Sequence, residues 1–548
     1  MVAVHRRLRQ GLIQRIDALN PEHESYRWLV LANIMIGTFM AVLDATIVDV
    51  SLTKIMASFG ASLDKIQWIV TAYMVIFAVM LPTSGWLADH YGYKKTYFTA
   101  LFLFTFGSFL CGLSWNENAL IFFRIVQGSG AGLLMPVGMA IVTREFPLKQ
   151  RGLALGFWGI AAAASISLGP MIGGYLIDHI SWQAIFDVNV PVGIFGMVAT
   201  FIIQREYKSE QSRSFDIVGF VSMAVFLSTL LIALDDAHAS WNVDGWHAPF
   251  IYVCFGLSFV CFVIFLVNEF LVEHPLIEIR LLKDYNFGLA NITLFIFGLG
   301  MFGSTFILPL YLQNSLNYTA FQAGAVFLPV GLIQAFISPL AGMTSDKINP
   351  KIPATIGILL MAFSMFLNSH QSLYSEHHQI MLPLIIRGIG MGLMFTPLST
   401  ISMSNIPREK MAQASGMFNV IRQIGGSFGV AILSTLLTQR TIFHDTIYSQ
   451  SIILTSPTTT RTLQGFQSFI QRQVGGPIYS YQLKAYNVTL QAITAIGQHL
   501  SSQAFVHAVN DVFLVTTCVT LLGLLPILLL RYNKKKKDDH EKVEVFTD

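Results

Sequence analysis

GSGAGL at residues 128–133 returns as GIGMGL at residues 388–393, 260 positions further on. Gly128, Gly130, Gly132 and Leu133 stand against Gly388, Gly390, Gly392 and Leu393. At the same spacing Pro147 meets Pro407 and Gly156 meets Gly416. Six coincidences at one offset, most of them Gly or Pro, indicate an internal repeat. A second echo sets GWLAD at 85–89 against GMTSD at 342–346, with Asp89 and Asp346 257 residues apart. GSGAG could be mistaken for a nucleotide loop, but it lies inside an apolar run with no strand before it, so the dinucleotide reading fails. No GxxxxGK[ST] occurs either, which excludes an ATPase of the P-loop kind within this chain.

The surroundings of both copies are apolar. Of 548 residues 53% are hydrophobic and only 12% charged, with a mean hydropathy of +0.59. Soluble domains carry about 25% charge, so lipid must be the solvent for much of the surface. The 42 glycines fit helices that pack by close backbone approach. A bilayer core requires about 20 apolar residues per helix. Fourteen runs qualify, at 28–50, 66–88, 96–114, 119–143, 153–178, 184–204, 215–234, 248–272, 287–313, 322–345, 352–369, 379–404, 410–438 and 505–531. An even number of spans separates the two copies, so both halves have the same orientation, about an axis along the membrane normal.

The expected fold is therefore an all-α polytopic membrane protein with a 28–204 six-helix bundle, two inserted helices within 205–286, and a 287–531 six-helix bundle. The second bundle contains a long polar segment, 439–504, whose apolar residues allow helices as well as coil. Residues 1–27 and 532–548 are expected on the cytoplasmic side. With the ends and alternate loops assigned there, that side holds 25 of the 34 lysines and arginines, and the opposite loops hold six. Such an excess is the positive-inside pattern. The opening MVAVHRRLRQ is basic and polar and not a cleaved signal peptide, so the first span is expected to stay as an anchor. Lys534–Lys537 reads as a topology anchor, with contact to anionic lipid as the alternative. A net charge of +3 suggests no nucleic-acid partner, and the four cysteines (Cys111, Cys254, Cys261, Cys518) show neither metal spacing nor a disulfide framework.

Arg124 is the most informative single residue. An arginine within an apolar span is costly and usually functional. It sits roughly 8 Å in from the outer side on span 4, and Asp44 roughly 9 Å in from the same side on span 1, at 1.5 Å per residue. Matched depths allow an interaction. A carboxylate that responds to a nearby guanidinium and to hydration can load and release a proton; the alternative is a purely structural ion pair. Asp89, followed by Gly92, Lys94 and Lys95, ends span 2 on the cytoplasmic side. Such a carboxylate can accept from a neighbouring helix N-terminus, forming with Gly85 and its echo Asp346 a latch that breaks as the halves rock; the alternative is a topology-setting loop.

Several motifs resemble those of the major facilitator superfamily. GWLADHYGYKK (85–95) is similar to its loop 2–3 signature, RIVQGSGAG (124–132) to its fourth-span motif, and GPMIGG (169–174) to the fifth-span motif of antiporters. LDATIVDV (43–50), QWIVTAYMV (67–75), FDVNVPVG (186–193), LPLYLQ (308–313) and ASGMFNVIRQIGGSFG (414–429) resemble the fourteen-span EmrB/QacA group of drug:proton antiporters. The resemblance covers essentially the whole chain. It implies a multidrug efflux antiporter of the cell (inner) membrane that exports hydrophobic, often cationic, compounds in exchange for protons, with no cofactor beyond the proton gradient. In Gram-negative relatives such an exporter works with a periplasmic adaptor and an outer-membrane channel; loop length and that analogy point to residues 439–504 as a docking segment.

Asp49 departs from the family's usual Asn, and reads equally as a substrate or proton site and as a hydrated helix end. It is about 140° round the helix from Asp44. Gly169, Pro170, Gly173 and Gly174 give span 5 small faces and a kink. Physics alone leaves a proton-tight, pliable interface and ordinary tight packing level, and the resemblance favours the first. Asn419, Arg422 and Gln423 form a polar stripe on span 13, either cavity lining or interhelical glue. His507 and Asp511 lie one turn apart near the outer end of span 14, a pH-responsive pair or a solvated helix end. An uptake symporter or facilitator is the main functional alternative; a membrane enzyme lacks a catalytic constellation.

Overall fold

The computed structural model describes residues 24–48, 51–61, 63–147, 149–208, 214–237, 242–273, 275–407, 410–451 and 481–531. Among the described residues every regular element is helical. The first half contains α1 (Glu24–Ile47), short α2 (Leu52–Phe59), α3 (Leu63–Tyr91), α4 (Tyr93–Gly112), α5 (Glu117–Glu145), α6 (Arg151–His179), short α7 (Ala184–Asp187) and α8 (Asn189–Ile203). Two helices follow, α9 (Ile217–Asp236) and α10 (Pro249–Leu271). The second half contains α11 (Tyr285–Leu316), short α12 (Ala320–Ala325), α13 (Leu328–Lys347), α14 (Lys351–Asn368), α15 (His377–Met403), α16 (Met411–Ser451), α17 (Tyr481–Leu522) and short α18 (Leu524–Leu529).

Among the described residues, twelve helices are long and apolar enough to cross a membrane. The helices α4 and α6 fall outside that set. The first opens on Lys94 and Lys95, and the second contains side chains that are not described.

The repeat is visible in the packing. In the first half α1 lies on α6, α3 and α4 both lie on α5, and α4 lies on α8. In the second, α11 lies on α16, α13 and α14 both lie on α15, and α14 lies on α17. The same pairing recurs element for element. Contact between the halves is reciprocal too: α6 packs on α13, and α3 packs on α16. The repeated glycines explain why. Cβ atoms at Gly130 and Gly390 would lie 2.5 Å from Ala100 O and 2.8 Å from Gly357 O, on α4 and α14. The motif is therefore a seat for a neighbouring helix backbone, as small-residue faces are in lipid.

Lys94, Arg151 and Lys351 mark one end of the bundle, where the described chain also begins and stops. Arg205 N donates to Tyr26 Oη (3.1 Å), and Asn286 and Arg531 exchange two hydrogen bonds of 2.8 and 3.0 Å. At this basic end the halves are closed on each other. The inserted pair bridges both halves, since Thr71 of α3 donates to Asp235 (2.5 Å) and Trp246 donates to Thr435 of α16 (2.7 Å).

The segment 439–504 is not a separate loop where it is described. It is helical at both flanks, continuing α16 out to Ser451 and resuming at Tyr481 in α17. Helices of 41 and 42 residues reach roughly 60 Å at 1.5 Å per residue. A hydrocarbon core of about 30 Å covers only half of that, so both helices project beyond it.

Candidate functional site: a sealed ion pair and a closed basic end

Asp44 and Arg124 meet. Arg124 Nη1 donates to Asp44 Oδ2 at 2.5 Å, and the two side chains are 0% and 1% exposed. The second carboxylate oxygen, Oδ1, accepts from Gln127 Nε2 (2.8 Å) and Asn189 Nδ2 (3.2 Å). Arg124 also donates to Gln127 Oε1 (2.8 Å) and, through Nε, to the Ile69 carbonyl (3.3 Å). Its guanidinium lies 3.9 Å from the centre of the Tyr73 ring. Ser108 Oγ accepts from both Gln127 (3.0 Å) and Asn189 (3.2 Å) and donates to Phe186 O (2.9 Å). A buried pair of charges persists only when its remaining lone pairs and protons are matched, and five helices supply the matches here.

Sequence reasoning found the pair and missed its shell. Gln127 is one turn beyond Arg124, and Asn189 lies within FDVNVPVG, so both were in quoted motifs. Neither is charged, and a neutral polar residue in a membrane helix is too common to stand out. Gln127→Leu removes two donated bonds and two accepted bonds. A net loss of about 1–3 kcal/mol of stability is expected, read as earlier melting of the purified protein in detergent. Wild-type melting would show the shell to be dispensable.

The antiporter-like glycines clasp the end of the Asp44 helix. A Cβ at Gly169 would fall 2.0 Å from Thr46 Oγ1, and one at Gly173 would fall 2.8 Å from Ile47. Gly174 faces Phe321 of the second half, at 3.3 Å. Pro170 lies within α6, and its side chain is not described. Asp49 lies outside the described residues.

At the basic end, Asp346 of α13 accepts from Gly152 N (3.2 Å) and Leu153 N (3.0 Å), the first-turn amides of α6 in the opposite half. Asp89 accepts from Tyr93 Oη at 3.3 Å. Gly85, four residues before Asp89, presses on α16, with its would-be Cβ 2.9 Å from Gln413 Cα. Gly92 has φ +101°, a conformation open to glycine, and a Cβ there would strike Glu206. Glu206 accepts from Lys94 N (3.1 Å), Lys94 Nζ donates to the Phe201 carbonyl (2.8 Å), and Lys95 is exposed.

On α16, Asn419 is fully buried and Arg422 and Gln423 are half-buried. Arg422 Nη2 donates to Asn419 Oδ1 at 3.5 Å. The His507–Asp511 pair, one of the two readings of these residues, does not form. Asp511 instead accepts from Arg440 Nε (2.6 Å) and His444 Nε2 (2.8 Å) across the projecting hairpin, and the His507 ring lies tilted beside that of His444, 5.7 Å between centres. Sequence neighbours one turn apart lost to a cation on the facing helix.

Two like-wound helical halves, closed at one end about reciprocal helix contacts, are the architecture of a membrane transporter. The chain belongs to the Major Facilitator Superfamily, whose family model matches residues 34–430. It is 30% identical to the uncharacterized MFS-type transporter YhcA of Bacillus subtilis, over 94% of this chain and 95% of that one. It is also 30% identical to the multidrug export protein EmrB of Haemophilus influenzae, over 91% and 94%. The solved structure of the human organic anion transporter MFSD10 superposes with a TM-score of 0.60 at 12% identity, covering 91% of this chain and 99% of that one, and shows the fold alone.

Proposed function

We propose that this chain is a fourteen-span, proton-coupled antiporter of the cell (inner) membrane that exports hydrophobic toxic compounds from the cytoplasm or the inner leaflet. The observation that carries the reading is the sealed Asp44–Arg124 pair in a chain related to multidrug export proteins. A carboxylate held this way has two states. Paired, it satisfies Arg124 and stays dry. When the halves rock and water reaches it, it takes a proton and releases the guanidinium. Alternation between these states links proton entry to the exchange of faces.

The directions of α4 and α6 support a count of fourteen spans. Lys65 pairs with Glu117 at 3.0 Å, so α3 and α5 start at the same end. The chain turns at Gly92, at the basic end, and α4 must cross back. The helix α6 starts at Gly152, at the basic end, and reaches Ile47 and Phe321 at the other. With the basic end cytoplasmic, both chain ends lie inside. The projecting α16–α17 hairpin lies outside, where a periplasmic adaptor would meet it.

The test is a susceptible bacterial strain expressing the protein and challenged with a panel of hydrophobic toxicants. Raised tolerance that disappears with an uncoupler is expected. Tolerance unchanged by the uncoupler, or no tolerance to any compound, would remove the reading.

A further inference from the structure

Three arginines lie inside membrane helices, and one has a carboxylate. Among the described residues, no acidic side chain stands within salt-bridge distance of Arg387 or Arg422. Arg387 is engaged within its own half, where Nη2 donates to the Met301 carbonyl (3.0 Å) and to Thr305 Oγ1. Both arginines have a buried Nε with no hydrogen-bond partner, but the bond that Arg422 makes, to Asn419, is long. Arg422 lies eleven residues into α16, roughly 16 Å from the basic end, which is about mid-depth in a 30 Å core.

Its aromatic surroundings come from the second half. The guanidinium centre is 5.9 Å from the ring of Phe302 and 5.9 Å from that of Phe395. Phe395 stacks at 6.4 Å on Trp158 of the first half, which is itself fixed by a bond to Thr38 (2.9 Å). A cation with a buried unpartnered donor, flanked by two aromatic faces, therefore lies one aromatic layer from the first half.

We propose that Arg422 anchors an anionic head group, so that the exported compounds are aromatic amphiphiles bearing a carboxylate or sulfonate. This rests on the exporter reading and reverses the charge preference that the sequence resemblance implies. A guanidinium without a counter-ion in a low-dielectric layer is costly, and its planar fork fits a carboxylate with two parallel bonds. A lipophilic cation at the same place would add like charge. The apolar body of the substrate lies against Phe302 and Phe395. Outward movement of an anion against one inward proton carries two charges in the same sense, so a potential negative on the cytoplasmic face drives it; a monovalent cation exchanged for one proton moves none.

The experiment uses the purified full-length protein in liposomes with three probes: dansylglycine, its neutral amide, and tetraphenylphosphonium. A pH gradient is expected to drive dansylglycine movement, faster with a potential negative on the cytoplasmic face. Arg422→Gln weakens dansylglycine binding about tenfold or more, the worth of a charge-assisted pair. It leaves amide binding unchanged, and Arg422→Lys recovers part of the loss. Equal weakening of amide and carboxylate would make Arg422 a structural residue and overturn the proposal. Proton-driven movement of tetraphenylphosphonium but not dansylglycine would overturn it while leaving the exporter reading intact. No proton-linked movement of any probe would remove both.

Discussion

Asp44→Asn is expected to abolish proton-driven export. The amide has nearly the shape of the carboxylate but carries no charge and binds no proton in this range. Any transport that survives must then be independent of the pH gradient, which substrate counterflow in vesicles would register. A second consequence separates this from simple damage. The substitution would leave Arg124 charged, buried and without its counter-ion, and breaking a buried pair costs about 3–5 kcal/mol. The variant should therefore melt earlier in detergent. Adding Arg124→Gln removes the orphaned charge, and the double variant should recover most of that stability. Coupling should not return with it. Recovery of both stability and proton-driven export in the double variant would mean that the pair is a structural strut and that protons are carried elsewhere.

How much of this was legible follows from what lipid penalises. Arg124 stood out because a guanidinium in hydrocarbon is too costly to be incidental, and Asp44 stood out because it lay at the same depth. The two halves were legible because Gly128, Gly130 and Gly132 must stay small wherever the fold repeats. Gln127, Ser108 and Asn189 were not, since a neutral side chain can satisfy itself on its own helix and leaves no signature of its real partner. The reach of α16 and α17 was also hidden. Outside the bilayer a helix has no reason to be apolar, so the Ser, Thr and Gln of the 439–504 segment left helix and coil equally open. Asp511 shows the same limit: its partners Arg440 and His444 lie about 70 residues away, and only tertiary packing selects them over His507.

Gly342→Leu should produce the other large effect, by holding the basic end open. Gly152 and Gly342 let the backbones of α6 and α13 touch: a Cβ at Gly342 would lie 2.1 Å from the Gly152 carbonyl oxygen, and one at Gly152 would lie 2.7 Å from that of Gly342. That approach is what brings Asp346 to the first-turn amides of α6. A leucine must push the helices apart, and the carboxylate then loses the two α6 amides. Because the backbone contact is between halves and not within one, each half can still fold while the closed state is lost. Export should fall about tenfold or more, the equivalent of the 1.4 kcal/mol or more by which losing these charge-assisted bonds disfavours closure. A cysteine placed at buried Gln413, with the four native cysteines replaced, should become several-fold more reactive towards a membrane-impermeant maleimide applied from the basic face. Gly342→Ala, which intrudes less, should fall between. Wild-type export by Gly342→Leu would show that the halves need not close here, and the latch at Asp346 would then be a resting contact with no part in the transport cycle.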